Sequence, residues 1–248
     1  MFYWRSTIAP SGPGAPEVDL SFTSRTAADE PYGGFNLGGH VGDDPSVVEG
    51  NRLALAHELG VSRDHLLFMR QVHGTKVVEV QGPWSSEVPE CDGIVTRATE
   101  LALAVLVADC VPVLLHDAAA GVIGAVHAGR PGMTDGIVAE AVSLMRRLGA
   151  RNVSAVVGPS VCGRCYEVPR ELVDAAARTS PVSETRSWSG TPAIDVAAGV
   201  VDQLVGAGVT VEWVGGCTRE QDELYSYRRD RQTGRFAGVV LLRSGGVR

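Results

Sequence analysis

Several features that are common in proteins are scarce in this sequence. Lys76 is the only lysine among 22 basic residues, and acidic residues outnumber basic ones to give a net charge of −7. Nucleic-acid-binding surfaces need clustered basic side chains to meet phosphates, so this balance argues against a nucleic-acid partner. Aromatic residues make up only 6% of the chain, but 44% of it is hydrophobic, which is enough for a large core.

The sequence also lacks a long uninterrupted apolar run. Its longest apolar stretch, LALAVLVADCVPVLL, is broken by Asp109 and Pro112, so we predict no membrane span. The start, MFYWRSTIAP, has neither the apolar stretch nor the cleavage site of a secretory signal peptide. Five cysteines cannot all pair with one another, so we expect free thiols and a cytoplasmic, reducing setting.

No linker, internal repeat or low-complexity tract divides the chain, and we expect one domain over residues 1–248. Short apolar runs predict strands at about 101–107, 111–116 and 121–127. The stretch TDGIVAEAVSLMRRLG predicts one amphipathic helix over 134–149. Helices are interspersed among the strands without strict alternation, which predicts an α+β (mixed α/β) fold with mixed β-sheets and flanking helices.

Strong metal ligands lie at three of the predicted strand ends. They are His73 in QVHG, Cys110 in ADC and His127 in VHAG. Two imidazoles and one thiolate form a three-ligand zinc set that leaves one coordination position for water or substrate. The gaps of 37 and 17 residues match no short metal motif. From spacing alone, a buried apolar Cys110 and two turn histidines are the favoured interpretation.

Longer strings identify a family resemblance. GFNLGGHVGDD, QVHGTKVVEV, VADCVPVLLHD, GAVHAGRPG and LYSYRRDRQTGRFAGVVLL follow one another between about residues 20 and 243. Together they closely resemble the YfiH family, long labelled multicopper polyphenol oxidoreductase or laccase domain. The resemblance implies a YfiH-like fold and a zinc site made of His73, Cys110 and His127.

The resemblance also implies an activity. It is purine nucleoside phosphorolysis, in which adenosine, inosine or guanosine reacts with phosphate to give the base and ribose 1-phosphate. Adenosine deamination and methylthioadenosine cleavage are implied as further activities. The implied partners are therefore purine nucleosides and phosphate, with no nucleic acid and no membrane. The sequence does not indicate the oligomeric state.

The chain departs from the family pattern at two places. After His127 the family usually has Trp-Arg between two glycines, whereas this chain has Arg130 and Pro131. The family often has Gly-Gly after the early arginine, whereas Arg25 is followed here by TAAD. Arg130 can substitute for the family arginine one position away, or a tryptophan contact is lost.

Phosphorolysis requires groups that hold phosphate under the reacting sugar carbon, and arginine suits anions. The candidates are Arg25, Arg130, Arg235 and the glycine-rich loop around Asn36, although each arginine alone also fits a solvated surface charge. His40, in the same loop, is expected to line the pocket or to form a loop hydrogen bond. Asp109 is a candidate proton shuttle beside Cys110, or a group that orients a ligand.

Other functions remain open at this stage. Cys110 could act as the nucleophile of a hydrolase that edits peptidoglycan precursors, with His73 or His127 as its base. A polyphenol oxidase of the laccase type needs His-x-His pairs to group several coppers, and none of the six histidines is so spaced, so zinc is favoured over copper. A non-enzymatic zinc-binding protein is a third class.

The CxxC pair of CGRC at 162–165 has no second pair to complete a Cys₄ site, and we interpret it as structural.

Overall fold

Two β-sheets packed face to face form the centre of the structure, a computed structural model that describes the chain except residues 11, 13, 27–30, 86 and 246–248. Part of the TAAD segment after Arg25 thus lies outside the described residues. The strands are β1 Phe2–Ile8, β2 Glu17–Thr23, β3 Leu66–Phe68, β4 Val77–Val80, β5 Gly93–Thr96, β6 Leu101–Val107, β7 Val111–Asp117, β8 Val122–Ala128, β9 Ser154–Val157, β10 Glu184–Arg186, β11 Pro192–Ile194, β12 Thr210–Trp213 and β13 Phe236–Arg243. The α-helices are α1 Pro45–Glu58, α2 Arg130–Asp135, α3 Ile137–Arg147, α4 Arg170–Thr179, α5 Val196–Gly206 and α6 Tyr227–Asp230, and short 3₁₀ turns cover Arg63–His65 and Pro181–Ser183.

Both large sheets mix parallel and antiparallel pairs. One sheet has the strand order β1-β2-β13-β6-β3, and the other has the order β12-β9-β7-β8-β5-β4. The pairs β3–β6, β4–β5 and β9–β12 are parallel, and the remaining neighbours in these two sheets are antiparallel. The α+β expectation with mixed sheets is confirmed.

The apolar residues of the strands sort into three layers. Leu101, Leu103 and Val105 of β6 face the second sheet and form a core between the sheets with residues of β2, β13, β7 and β8. Ala102 and Ala104 point the other way, against α1 and the loop before it. Strands covered on both faces need no polar alternation, which explains why this segment is an unbroken apolar run. A third layer packs α3, α4 and α5 on the outer face of the six-stranded sheet.

The single helix predicted over 134–149 is in fact two helices. Gly136 adopts φ +98°, a left-handed conformation that ends α2 and places α3 in a new direction. The residues after His127, which the glycines marked only as a turn, form α2 instead, starting at Arg130. Most of the predicted helix is present as α3, and only its start was wrong, because Gly136 leaves the right-handed helical conformation.

The chain crosses between the two large sheets several times at one end. It crosses between β3 and β4, again between β6 and β7, and again between β12 and β13. His73 lies in the first of these crossings, Asp109 and Cys110 in the second, and the segment 214–235 in the third. The crossings therefore bring distant parts of the sequence together. Among the described residues, no helix combines the length and apolar character that a bilayer crossing requires.

Two glycine substitutions test this packing in opposite directions. A methyl group at Gly158, which follows β9, would overlap the Phe22 ring between the sheets, so Gly158→Ala should lower the free energy of unfolding by about 1–3 kcal/mol. Gly50 lies within α1 with nothing within 4 Å of the added carbon, so Gly50→Ala should raise it by about 0.5–1 kcal/mol. Urea denaturation of both variants measures this. Equal effects would show that the sheets do not meet as described.

Candidate functional site

His73, Cys110 and His127 come together where the crossings meet. Their ligand atoms all lie within 4.8 Å of one another. The Cys110 Sγ is 3.7 Å from the His73 Nε2, and the two imidazole rings lie edge to face with centroids 4.7 Å apart. Two imidazoles and a thiolate at this spacing can share one metal ion, as in zinc sites that keep one position open. The expectation that these three residues form one group is confirmed.

A buried carboxylate, Asp92, holds two of the three ligands. Its Oδ1 lies 2.8 Å from Nδ1 of His127, which leaves the Nε2 of that ring for a metal. The same carboxylate accepts hydrogen bonds from the backbone N–H groups of Val72, His73 and Gly74, at 3.2, 2.9 and 2.7 Å. His73 has φ +60°, an uncommon conformation for a residue other than glycine, and these bonds stabilise it.

Gly129 leaves room for the ligands. A β-carbon at this position would lie 2.8 Å from Cδ2 of His73 and 3.3 Å from the Cys110 sulfur. Any other residue would therefore push one of these side chains out of place. The space beside the ligands depends on the missing side chain, which is consistent with a site built to accept an ion.

The electrostatics of the three residues are coupled. Burial alone would raise the pKa of the Cys110 thiol, but the charge of His127 and hydrogen bonds from both imidazoles outweigh it and lower that pKa to about 6. Burial would lower the pKa of His127, but the Cys110 thiolate and the Asp92 carboxylate raise it to about 9. The protein therefore stabilises Cys110 as a thiolate, the form that binds metals and attacks electrophiles.

A cavity of about 390 Å³ opens above these ligands. His40 and Arg235, two of the predicted substrate-binding residues, lie on its wall. Burial, together with the charges of Arg235 and Arg52, lowers the pKa of His40 and so favours its neutral form. The cavity is lined by His40, Gln71, His73, Leu106, Val107, Ala108, Asp109, Cys110, His127, Tyr166, Tyr227, Arg228 and Arg235.

Asp109 lines the cavity, but both of its carboxylate oxygens accept hydrogen bonds from other residues of the protein. Oδ1 accepts hydrogen bonds from the hydroxyls of Thr218 and Ser226 at 2.7 and 2.6 Å, and Oδ2 accepts one from the Arg228 N–H at 2.6 Å. Asp109 itself has φ +106°. These contacts tie the turn that carries Cys110 to the segment between β12 and β13. Its role as a proton shuttle stays a prediction.

The other predicted substrate-binding residues lie behind the cavity wall. Asn36 is fully buried, and its Oδ1 accepts hydrogen bonds from the N–H groups of Arg235 and Gly38, both at 2.8 Å. Asn36 thus fixes the backbone of Arg235. Arg25 is buried against Tyr225 and donates to the carbonyl of Asp222. Tyr225 in turn bonds to the glycine-rich loop.

Arg130 begins α2 and is half-buried, and it is not one of the residues that line the cavity. The structure therefore brings Arg235 and His40 to the cavity and leaves Arg25, Asn36 and Arg130 outside its lining. Direct contact of these last three with substrate stays a prediction.

Sequence reasoning missed four residues of this site. Asp92 directly precedes Gly93, the first residue of β5. An acidic residue before a buried strand is the only sign of its role in the sequence. Tyr166, Tyr227 and Arg228 also line the cavity and are not among the predicted site residues. Arg228 stacks on the Tyr166 ring at 4.6 Å and lies beside the cavity because the segment before β13 folds back over it.

The chain is similar to known proteins over nearly its whole length. Residues 20–243 match the family described as multi-copper polyphenol oxidoreductase laccase. A Streptomyces griseus protein named purine nucleoside phosphorylase ORF3 is 48% identical over 239 residues, which cover 94% of this chain and 97% of that protein. A Streptomyces coelicolor protein named purine nucleoside phosphorylase SCO2081 is 50% identical over 216 residues, covering 86% and 89%. The crystal structure of the Bacillus licheniformis hypothetical protein YfiH superposes with a TM-score of 0.82 at 27% identity, covering 93% of this chain and 97% of that one.

Asp92→Asn tests whether Asp92 orients His127 for metal binding. An amide can donate to Nδ1 of His127, which would move the ring proton to Nε2 and block metal binding, so affinity for Zn²⁺ should fall about 10–100-fold. Asp117→Asn is a matched control, because Asp117 is also buried and accepts backbone N–H groups from Arg151 and Asn152. Both variants should lose stability, and competition with a zinc-binding dye should show weaker binding only for Asp92→Asn. Equal zinc affinity in the two variants would contradict the assignment.

Proposed function

Because the chain belongs to the family described as multi-copper polyphenol oxidoreductase laccase, which includes YfiH, we propose that it is a zinc-dependent purine nucleoside phosphorylase. The relatives named purine nucleoside phosphorylase support the reaction class. The observation that carries the proposal is the group of His73, Cys110 and His127 in the floor of a cavity that Arg235 also lines. Substrates are adenosine, inosine or guanosine together with phosphate.

The donor set supports zinc as the metal. His73, Cys110 and His127 would hold it, and one thiolate with two imidazoles is a usual zinc combination. The described residues offer no second histidine group beside this one that could collect several coppers. When bound, zinc supplies a Lewis acid that polarises an oxygen of the substrate or of phosphate.

The residues of the chain supply the remaining requirements of phosphorolysis. Arg235 gives a positive charge in the cavity, and its Nη1 is held by the carbonyls of Thr233 and Gly234 at 2.9 Å. Among the described residues, its Nε and Nη2 hydrogens have no acceptor, so they are available to an anion. A fixed guanidinium of this kind suits phosphate. We assign phosphate binding to Arg235, with Asn36 positioning it from behind.

Other residues of the cavity lining suit a nucleoside. Tyr166 and Tyr227 offer aromatic faces for a purine, and Leu106 and Val107 add apolar surface. Neutral His40 can accept or donate a hydrogen bond to a sugar hydroxyl or a ring nitrogen. Asp109 keeps the Cys110 turn in place, and its action as a proton shuttle during adenosine deamination is part of the proposal. Methylthioadenosine cleavage would use the same cavity.

A cysteine hydrolase is a second candidate, because Cys110, His127 and Asp92 are also arranged as a nucleophile, a base and an orienting carboxylate. The lowered pKa of Cys110, about 6, favours its thiolate form. Metal-free protein that hydrolyses a peptidoglycan precursor, and that loses this activity when Cys110 is stoichiometrically alkylated, would support this candidate. Protection of Cys110 from alkylation by Zn²⁺ would support the phosphorylase.

The proposed setting is the cytoplasm, which is consistent with five cysteines that are all unpaired.

Incubation of the zinc-loaded protein with inosine tests the reaction. Hypoxanthine and ribose 1-phosphate should form only when phosphate is present, as followed by chromatography. His73→Ala should lower kcat/KM by about 100-fold or more, because it removes a metal ligand. His57→Ala, an exposed position on α1, should leave the rate unchanged. Hypoxanthine release at the same rate without phosphate would indicate hydrolysis and contradict the proposal.

A further inference from the structure

A second group of metal-ligating side chains lies outside the site described above. Cys162 and Cys165 come from the turn after β9, and Cys217 and Glu220 come from the turn after β12. Their three sulfur atoms and a carboxylate oxygen all lie within 4.8 Å of one another. No part of the proposed phosphorolysis uses these four residues.

We propose that Cys162, Cys165, Cys217 and Glu220 bind a second divalent cation of the zinc type, which is structural. Four protein donors fill a tetrahedral zinc site and leave no position for a substrate. This distinguishes the second group from the first, which has three donors and an open cavity above it.

The backbone arranges the two turns before any ion binds. In the first turn the N–H groups of Cys165 and Tyr166 both donate to the carbonyl of Cys162, at 2.9 and 3.1 Å. In the second turn the N–H groups of Glu220 and Gln221 both donate to the carbonyl of Cys217, at 3.0 Å. Each turn therefore presents two ligands from neighbouring positions, as the paired ligand turns of structural zinc sites do.

A bridge between the turns fixes their separation. Ser160 pairs with Cys217 in parallel, with Thr218 N donating to the Ser160 carbonyl at 3.1 Å. The Cys162 N–H points at the Cys217 Sγ, 3.4 Å away, a bond that stabilises a thiolate. The two turns are thus held together by contacts that do not involve the proposed ion.

The surroundings favour an ion over three separate thiols. Cys165 and Cys217 are buried, and Glu220, although exposed, turns toward them with Oε1 at 3.3 Å from the Cys165 Sγ. The same oxygen accepts a hydrogen bond from the Trp188 Nε1 at 3.1 Å, which orients the carboxylate. Without an ion the Cys165 thiol donates to this carboxylate, and a divalent cation would displace that proton and bind all four donors.

The second ion would brace the wall of the first site. Tyr166, next to Cys165, lines the cavity and stacks on Arg228. Thr218, next to Cys217, donates to Asp109, which precedes Cys110. The two turns therefore support the cavity from behind.

Zinc analysis of the full chain, purified with a thiol reductant and saturated with Zn²⁺, tests the proposal. The wild-type protein should retain about two equivalents per chain, and His73→Ala and Cys217→Ser about one each. Cys91→Ala is the matched control, because Cys91 is buried outside both groups, and it should retain both ions. A single equivalent in the wild type, lost entirely with His73→Ala, would overturn the second site.

Three further measurements keep the test decisive if Cys217→Ser folds poorly. Glu220→Gln changes an exposed side chain, and it should fold normally but bind the second zinc at least about 10-fold more weakly. Cobalt bound to His73→Ala should show the strong thiolate charge-transfer band of a site with three sulfurs, and the absence of that band would overturn the second site. A disulfide among Cys162, Cys165 and Cys217 in the reductant-treated protein, seen by mass spectrometry as a cross-linked peptide after zinc removal and denaturation, would also overturn the proposal. None of these three results bears on phosphate-dependent cleavage of inosine.

Discussion

The arrangement of the candidate metal site depends on one buried carboxylate. Asp92 accepts hydrogen bonds from three consecutive N–H groups, at Val72, His73 and Gly74, and also meets Nδ1 of His127. The Asp92 carboxylate therefore fixes the backbone bend that carries the His73 imidazole, and it also orients the imidazole of His127. Burial opposes its charge, yet hydrogen bonds from His127 and Gly74 keep the pKa of Asp92 below its usual range. A negative charge held there favours a cation at the neighbouring nitrogen and sulfur atoms.

The packing of two sheets explains why residues so distant in sequence meet. Three passages of the chain from one sheet to the other, after β3, β6 and β12, leave segments at the same end, and chemistry-bearing side chains are concentrated in these segments. Asp109 connects two of them through Thr218 and Ser226. The parallel pairing of β9 with β12 then brings the CGRC turn to Cys217, which places the proposed structural ion directly behind the cavity wall.

Much of this could be predicted from the sequence, for physical reasons. The strands at 101–107, 111–116 and 121–127 were found because apolar runs buried on both faces are unmistakable, and the ligands stand at their ends. The break at Gly136 was missed because apolar spacing does not report φ. The role of Asp92 was missed because it depends on N–H groups about twenty positions away in the sequence. The proximity of Cys217 to CGRC could not be predicted without knowing that β9 and β12 are neighbours. Local pattern therefore marked the three residues as candidates, the family resemblance implied that they bind a metal, and only the tertiary structure showed what supports them.

Anomalous diffraction at the zinc absorption edge, on crystals of zinc-loaded protein, tests the central claim most directly. That claim is that His73, Cys110 and His127 share one ion while Asp92 holds the two histidines. We predict a peak about 2.3 Å from the Cys110 sulfur and about 2.0–2.1 Å from a nitrogen of each imidazole, with Asp92 still bonded to His127. A zinc-loaded crystal with no peak among these three side chains, or with either imidazole turned away from the sulfur, would contradict the account.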